Sequence, residues 1–452
     1  MRCVLGRGVD LGLHKIPKTL ETMTSSGGPS SFSPDAPVSP LEKDLDRFSR
    51  YLLLFYLFFS VSLGVVLSYL GFLADFSGYF TLSGFNPMNA SALAGLYVAF
   101  LACRPEKGLI QWSVGLSVLA EIFYQALVIP ESSGLYDRLL TVGGGTGLVG
   151  LGFMIHLFLS ASTPQARSRA RAFLLAGLCV LLYPIAAGKG MGLLSQLSPN
   201  VWDSHLYALE GAWGVFPAQI VARFLAEHFA LHYLALAVYS RLPLFVFIGI
   251  YLGARYPERC YPNVLVAFVG AGLMAFPFFL LLPMVGIDVF VGTPPWPLGE
   301  MPALTRWGPV QAPAGYPRTC LPSLHTTWVL IFYFAVSRLS VAWKGFALVV
   351  VLLTLLSALG PSVGHYSLDL LLAVPYCLGI MAMATPATEN NRAVRRASLA
   401  FGFGSLLFWV LAFRFFGHGL AALPALSWGT ILGGCVVAFG LESLLGRRTL
   451  GA

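Results

Sequence analysis

The chain has 452 residues, 57% of them hydrophobic and only 11% charged. Soluble domains carry about 25% charged residues, so a freely soluble enzyme is excluded. The net charge of +8 does not point to nucleic acid, because basic residues of membrane proteins gather in cytoplasmic loops. Apolar residues run on for about 20 positions at a time, enough to cross a hydrocarbon layer of about 30 Å as helices. The alternation that marks a membrane β-barrel is absent. The expected fold is all-α, a polytopic transmembrane helical bundle of about twelve spans.

Residues 1–46 are polar, with "TSSGGPSSFSPDAPVSP" at their centre. They read as a disordered cytoplasmic tail rather than a signal peptide, and Met23 is an alternative start. The expected spans follow at roughly 51–73, 88–103, 109–129, 139–161, 171–187, 232–253, 264–286, 325–338, 345–361, 366–385, 397–416 and 424–445. With a cytoplasmic N-terminus, the tail and alternate loops hold 21 of the 28 Lys and Arg residues. That bias puts both termini in the cytoplasm. The "GGGTG" at Gly143–Gly147 has neither the preceding strand nor the lysine of a phosphate-binding loop and reads as close helix packing. None of the seven cysteines lies in a CxxC pair, so no disulfide framework is expected.

Two stretches interrupt the spans on the outward face. Gly188–Leu231 contains "NVWDSHLYALEGAWG" and reads as helices lying at the interface. "EHFALH" then sets His228 and His232 one turn apart beside Glu227. That spacing suits a metal, but no third ligand stands at a good distance, and no metal or cofactor is expected. Gly286–Pro322 is rich in proline and tryptophan, and loops of this length are usually functional or disordered.

The chemistry concentrates in "PRTCLPSLHTTW" and "VGHYSLDLLLAVPY". Pro322 suits a first helical turn, and Ser323 or Thr319 suits its cap. His325 then opens one span and His365 another on the same face. Asp369 follows His365 by four residues, one turn on a helix. Its carboxylate can hold one ring nitrogen of His365 and leave the other as nucleophile or base. Arg318, at the same mouth, carries a fork of donors matched to phosphate oxygens. An acid inside a span is costly and by default functional. The set fits phosphoryl transfer, in which one histidine attacks phosphorus and the other protonates the leaving alcohol. Proton-coupled transport is the competing use of the same residues.

"PSLH" and, forty residues on, "GHYSLD" resemble the second and third motifs of the type 2 phosphatidic acid phosphatase superfamily. Their wording is closest to the inositolphosphotransferase branch, which includes inositol phosphorylceramide synthases, and is also similar to sphingomyelin synthases. The resemblance covers roughly residues 200–385. It implies a six-helix catalytic core and a phosphohistidine intermediate at the exoplasmic or periplasmic face. It also implies His365 as nucleophile, Asp369 as its orienter, His325 as general acid, and Ser323 helping to hold the phosphate. The superfamily's first motif is missing, Leu324 replaces the usual glycine, and Ala358-Leu359 stands where Ser-Arg is usual. The phosphate cations would then be Arg318 and Arg306. On this reading the chain divides into a tail (1–46), a five-span region (47–187), a catalytic core (188–385) and a two-span extension (386–452). The expected activity is that of a lipid phosphotransferase or phosphatase. Its substrate is a lipid in the bilayer, and nucleic acid is not a partner. A plain lipid- or polyprenyl-phosphate phosphatase, a lipid-phosphate transporter and a catalytically inactive protein are the alternatives.

Overall fold

The computed structural model describes residues 42–43, 45–54, 87–130, 133–292, 296–304, 307–312 and 316–451. Most of the expected tail, most of the first expected span and Arg306 lie outside the described residues. The protein is an all-α polytopic bundle. Among the described residues, seven helices are long and apolar enough to cross a membrane, eight if one bent pair counts as a span, and three shorter helices are also apolar.

The N-terminal region contains α1 (Pro87–Ala102), α2 (Lys107–Leu127), α3 (Leu135–Thr141), α4 (Gly144–Ser160) and α5 (Pro164–Leu197). The "GGGTG" run opens α4 and lets it approach α1 and α2 closely. A Cβ at Gly147 would lie 1.9 Å from the Leu93 carbonyl oxygen, so only glycine fits there. Glu121 of α2 accepts from the Gly143 and Thr146 amides and so satisfies donors that a helix start leaves open. Helical residues from 42 onward dock on α5. Buried Glu42 receives Arg169 at 2.8 Å, and Asp46 receives Arg171 at 2.8 Å. Residues 42–43 and 45–46 are therefore held against α5.

A short strand β1 (Asn200–Val201) leads into α6 (Asp203–Glu210) and α7 (Pro217–Glu227). The span expected over 232–253 is instead two helices, α8 (Phe229–Ser240) and α9 (Leu242–Arg255), meeting at Arg241. Pro243 sits in the first turn of α9, where its missing N–H costs nothing. α7 and α8 are bent 113° to each other. α5 also runs to Leu197, so residue 188 lies within a helix.

The chain continues with α10 (Val264–Leu281), α11 (Ile287–Val291), β2 (Val310–Gln311), α12 (Leu324–Val336), α13 (Val341–Ala358) and α14 (Ser367–Ala384). The long helices α15 (Arg392–Ala422) and α16 (Pro424–Leu450) close the chain. Fourteen of the 18 residues of α14 are buried, because α10, α12, α15 and α16 surround it. The described parts of the 286–322 loop are tied down. β2 pairs antiparallel with β1, Ser204 donates to the Gly308 carbonyl, and Gln219 of α7 donates to those of Pro297 and Gly299.

α12 and α14 both begin at the histidine motifs and run to a basic end. Arg338, just past α12, binds Glu442 at 2.9 Å. Arg395 donates to the Ala382 and Thr385 carbonyls at the end of α14.

Candidate active site

The two motifs meet. Ser323 caps α12 by accepting from the Thr326 amide, and its own N–H points to the Asp369 carbonyl at 3.5 Å. Pro322 lies before the helix rather than in its first turn, and Thr319 does not cap it. Thr319 donates to the Met191 thioether instead.

α14 begins at Ser367 with Tyr366 as its N-cap, so His365 stands ahead of the helix. The Asp369–His365 contact is thus not the one-turn helical pairing that spacing suggested. Asp369 is the third helical residue and reaches back in a capping box, where its Oδ2 accepts from the Tyr366 amide at 3.1 Å. The same oxygen lies 3.3 Å from His365 Nδ1. Cys320 closes the group, with its Sγ 3.2 Å from His365 Nδ1 and its thiol donating to Asp369 Oδ2. Because Nδ1 faces Asp369 and Cys320, Nε2 is the nitrogen left for chemistry.

His325 lines the same cavity as His365 and Cys320. Its ring stacks on Tyr239 at 4.2 Å and meets the edge of Trp328 at 5.4 Å, so aromatic faces fix its plane. The structure therefore brings His325, His365 and Asp369 together. It turns Ser323 into a buried helix cap. It also turns Arg318 inward: the side chain is buried, with Nε donating to Ser198 O at 3.1 Å and Nη1 to Tyr316 O at 2.6 Å.

Four residues escaped the sequence reading. Asp203 is fully buried, accepts from the Val285 and Gly286 amides and faces the Tyr366 hydroxyl at 3.3 Å. Glu210 accepts from the Ser367 amide and hydroxyl, holding the first turn of α14 from outside. Burial pushes both acids up to about 7, so near neutrality neither carries a full charge. Asp288 lies under Gly364, whose φ of +60° and lack of a side chain admit it: a Cβ there would lie 2.3 Å from its carboxyl carbon. Burial raises Asp288, opposed chiefly by the Val289 amide. Cys320 is the fourth, and burial pushes its thiol well up, reinforced by Asp369. The only sequence signal for the first two was a pair of acids, Asp203 and Glu210, in "WDSHLYALEG", with no lysine or arginine between them.

The atoms Cys320 Sγ, His365 Nδ1 and Asp369 Oδ2 lie within 4.8 Å of one another. This donor set suits zinc, but a cation there would take the nitrogen that Asp369 orients. The "EHFALH" histidines diverge. His228 Nδ1 contacts Phe224 O, and His232 Nε2 faces Ser362 Oγ at 3.3 Å.

No curated protein and no solved structure matches the chain. Residues 204–383, from α6 to the end of α14 and including both histidine motifs, match the family model of the PAP2 superfamily.

Proposed function

We propose that the protein is a membrane lipid phosphotransferase or phosphatase working through a phosphohistidine on His365. The observation that carries this reading is His365 Nδ1 set against Asp369 Oδ2 in a cavity shared with His325. Members of the matched superfamily are typically phosphatases acting on lipid phosphates.

In the first step His365 Nε2 attacks phosphorus, and the bond to the lipid oxygen breaks as His325 gives that oxygen a proton. Asp369 keeps the Nδ1 proton in place and balances the positive charge on the ring. In the second step His325, now a base, takes a proton from water or an alcohol, whose oxygen displaces His365 from phosphorus. The wording of "PSLH" and "HYSLD" favours an alcohol acceptor, as in inositolphosphotransferases, with water giving plain hydrolysis. The site is assigned to the exoplasmic or periplasmic face, because Arg338 and Arg395 lie at the opposite ends of α12 and α14 and basic ends stay in the cytoplasm.

The test is turnover of a radiolabelled lipid phosphate by purified protein, with and without an added alcohol. Label passing to the alcohol supports transfer, and release of inorganic phosphate alone supports hydrolysis. No turnover of any lipid phosphoester would sink the enzyme reading. Activity should survive chelator. Loss with EDTA and recovery with zinc would instead make Cys320, His365 and Asp369 a metal centre.

A further inference from the structure

Helices outside the matched segment wall the catalytic cavity. The cavity holding His325 and His365, about 370 Å³, is closed on one side by α1 and by Val180, Tyr183 and Met191 of α5. A second cavity, about 360 Å³, adjoins it between α5 and α10 and shares Tyr183, Ala187, Met191, Thr319 and Leu324 with it. Its walls are otherwise hydrocarbon: small Ala186 and Gly190 on one side face Phe276 and Phe279 on the other. Both helices are apolar enough to be membrane spans, so the slot lies between two candidate spans. From Leu194 down to Tyr183 it follows about 16 Å of helix. Near the deep end, Gly272 has no side chain and Tyr183 occupies the space. A Cβ there would meet the Tyr183 hydroxyl at 1.9 Å. The Tyr183 ring is braced by Phe268 at 5.1 Å and Trp328 at 5.7 Å.

We propose that this slot holds one long hydrocarbon chain of the substrate while its phosphate lies at His365, which makes α5 the element that selects the lipid. The inference rests on the enzymatic reading above. What ties this occupant to this groove is continuity: the cavity that holds both histidines shares five lining residues with the apolar one, as an amphiphile with a phosphate head and an acyl or prenyl tail requires. Such a chain gains free energy with each methylene it buries, whereas a short phosphoester gains nothing from the slot. Gly190 is the place to plug it. A Cβ there meets only Phe276, at 3.6 Å, so a phenylalanine ring would enter the slot without forcing the backbone.

Two measurements on the full-length protein in detergent test this. In the first, Gly190→Phe and Ala187→Phe are assayed on a long-chain alkyl phosphate and on a short-chain one. The long-to-short ratio of kcat/KM should fall at least tenfold in both variants. An unchanged ratio, or equal loss on both substrates, overturns the proposal. In the second, a long-chain alkyl phosphate with a terminal diazirine is photolysed on the wild-type protein, and the labelled peptide is sequenced. Label within 183–194 or 272–279 supports the slot, and label elsewhere overturns it. Because crosslinking needs no turnover, label in the slot of a protein that cleaves nothing would retain the slot and discard the enzyme.

Discussion

The two ends of α12 and α14 solve the same problem, charge at the edge of a membrane, in opposite ways. At the basic end, ion pairs recur. Arg338 binds Glu442 and covers the Tyr261 ring at 4.6 Å, while Arg169 binds Glu42. At the histidine end, Asp203 and Glu210 are buried and accept mainly from backbone amides and hydroxyls, Asp369 accepts from an amide and a thiol beside His365, and Arg318 donates to carbonyls. Opposite charges in contact stabilise the fold and quench one another. Acids held by neutral donors keep a nearby histidine responsive.

Substitutions can break this contrast, beginning with the largest effect. His365→Ala should lose at least about 10⁴-fold in turnover, on a natural lipid and on an activated nitrophenyl ester alike. His325→Ala should lose about 10²–10⁴-fold on the lipid only, because a good leaving group does not need its proton. Rescue of His365→Ala but not His325→Ala by the activated ester would exchange the two roles. Asp369→Asn should cost about 10³-fold in kcat, the order of effect seen when a histidine's orienter is mis-set, and near-normal turnover in a folded variant would remove Asp369 from the site.

The opposite end should behave in reverse. Arg338→Ala leaves Glu442 without its cation and should cost about 2 kcal/mol of stability, with kcat kept within about twofold. Thermal melting and turnover measured on the same preparation check this, and a selective loss of kcat would abolish the contrast. The smallest effect concerns pH. Asp203 and Glu210 keep protons in the folded chain up to about 7, whereas the unfolded chain has released them from 3.8 and 4.5 upward. Stability should therefore fall as pH rises through that window. A melting temperature a few degrees lower at pH 7.5 than at pH 5, with a shallower slope in Asp203→Asn, is the expected result. A slope unchanged by the substitution would place the proton uptake elsewhere.

The membrane helices were legible because the bilayer imposes length and apolarity together. The split at Arg241 was not, since a hydropathy run does not register a helix end buried in protein. That His325, His365 and Asp369 lie near one another was legible because polar groups at the lips of apolar helices are conspicuous. The manner of their contact was not, because a spacing of four suggests a helical turn and a capping box has the same spacing. Asp203 and Glu210 lie in a stretch that reads as interfacial helices, and only the described parts of the 286–322 loop and α14 reveal that they are covered. The inward turn of Arg318 was hidden for a related reason: sequence alone does not show that its Nε and Nη1 donate to the Ser198 and Tyr316 carbonyls.

The capping box at Tyr366 has a consequence for how the protein fails. One oxygen of Asp369 both fastens the first turn of α14 and steadies His365, so fraying of that turn and loss of the aligned imidazole are a single event. Warming or mild denaturant should silence the molecule while most of its helices persist, and the amides of 366–369 should exchange with solvent in step with the fading activity. The lifetime of the working state is then set by the closure of one helical turn rather than by the endurance of the whole bundle.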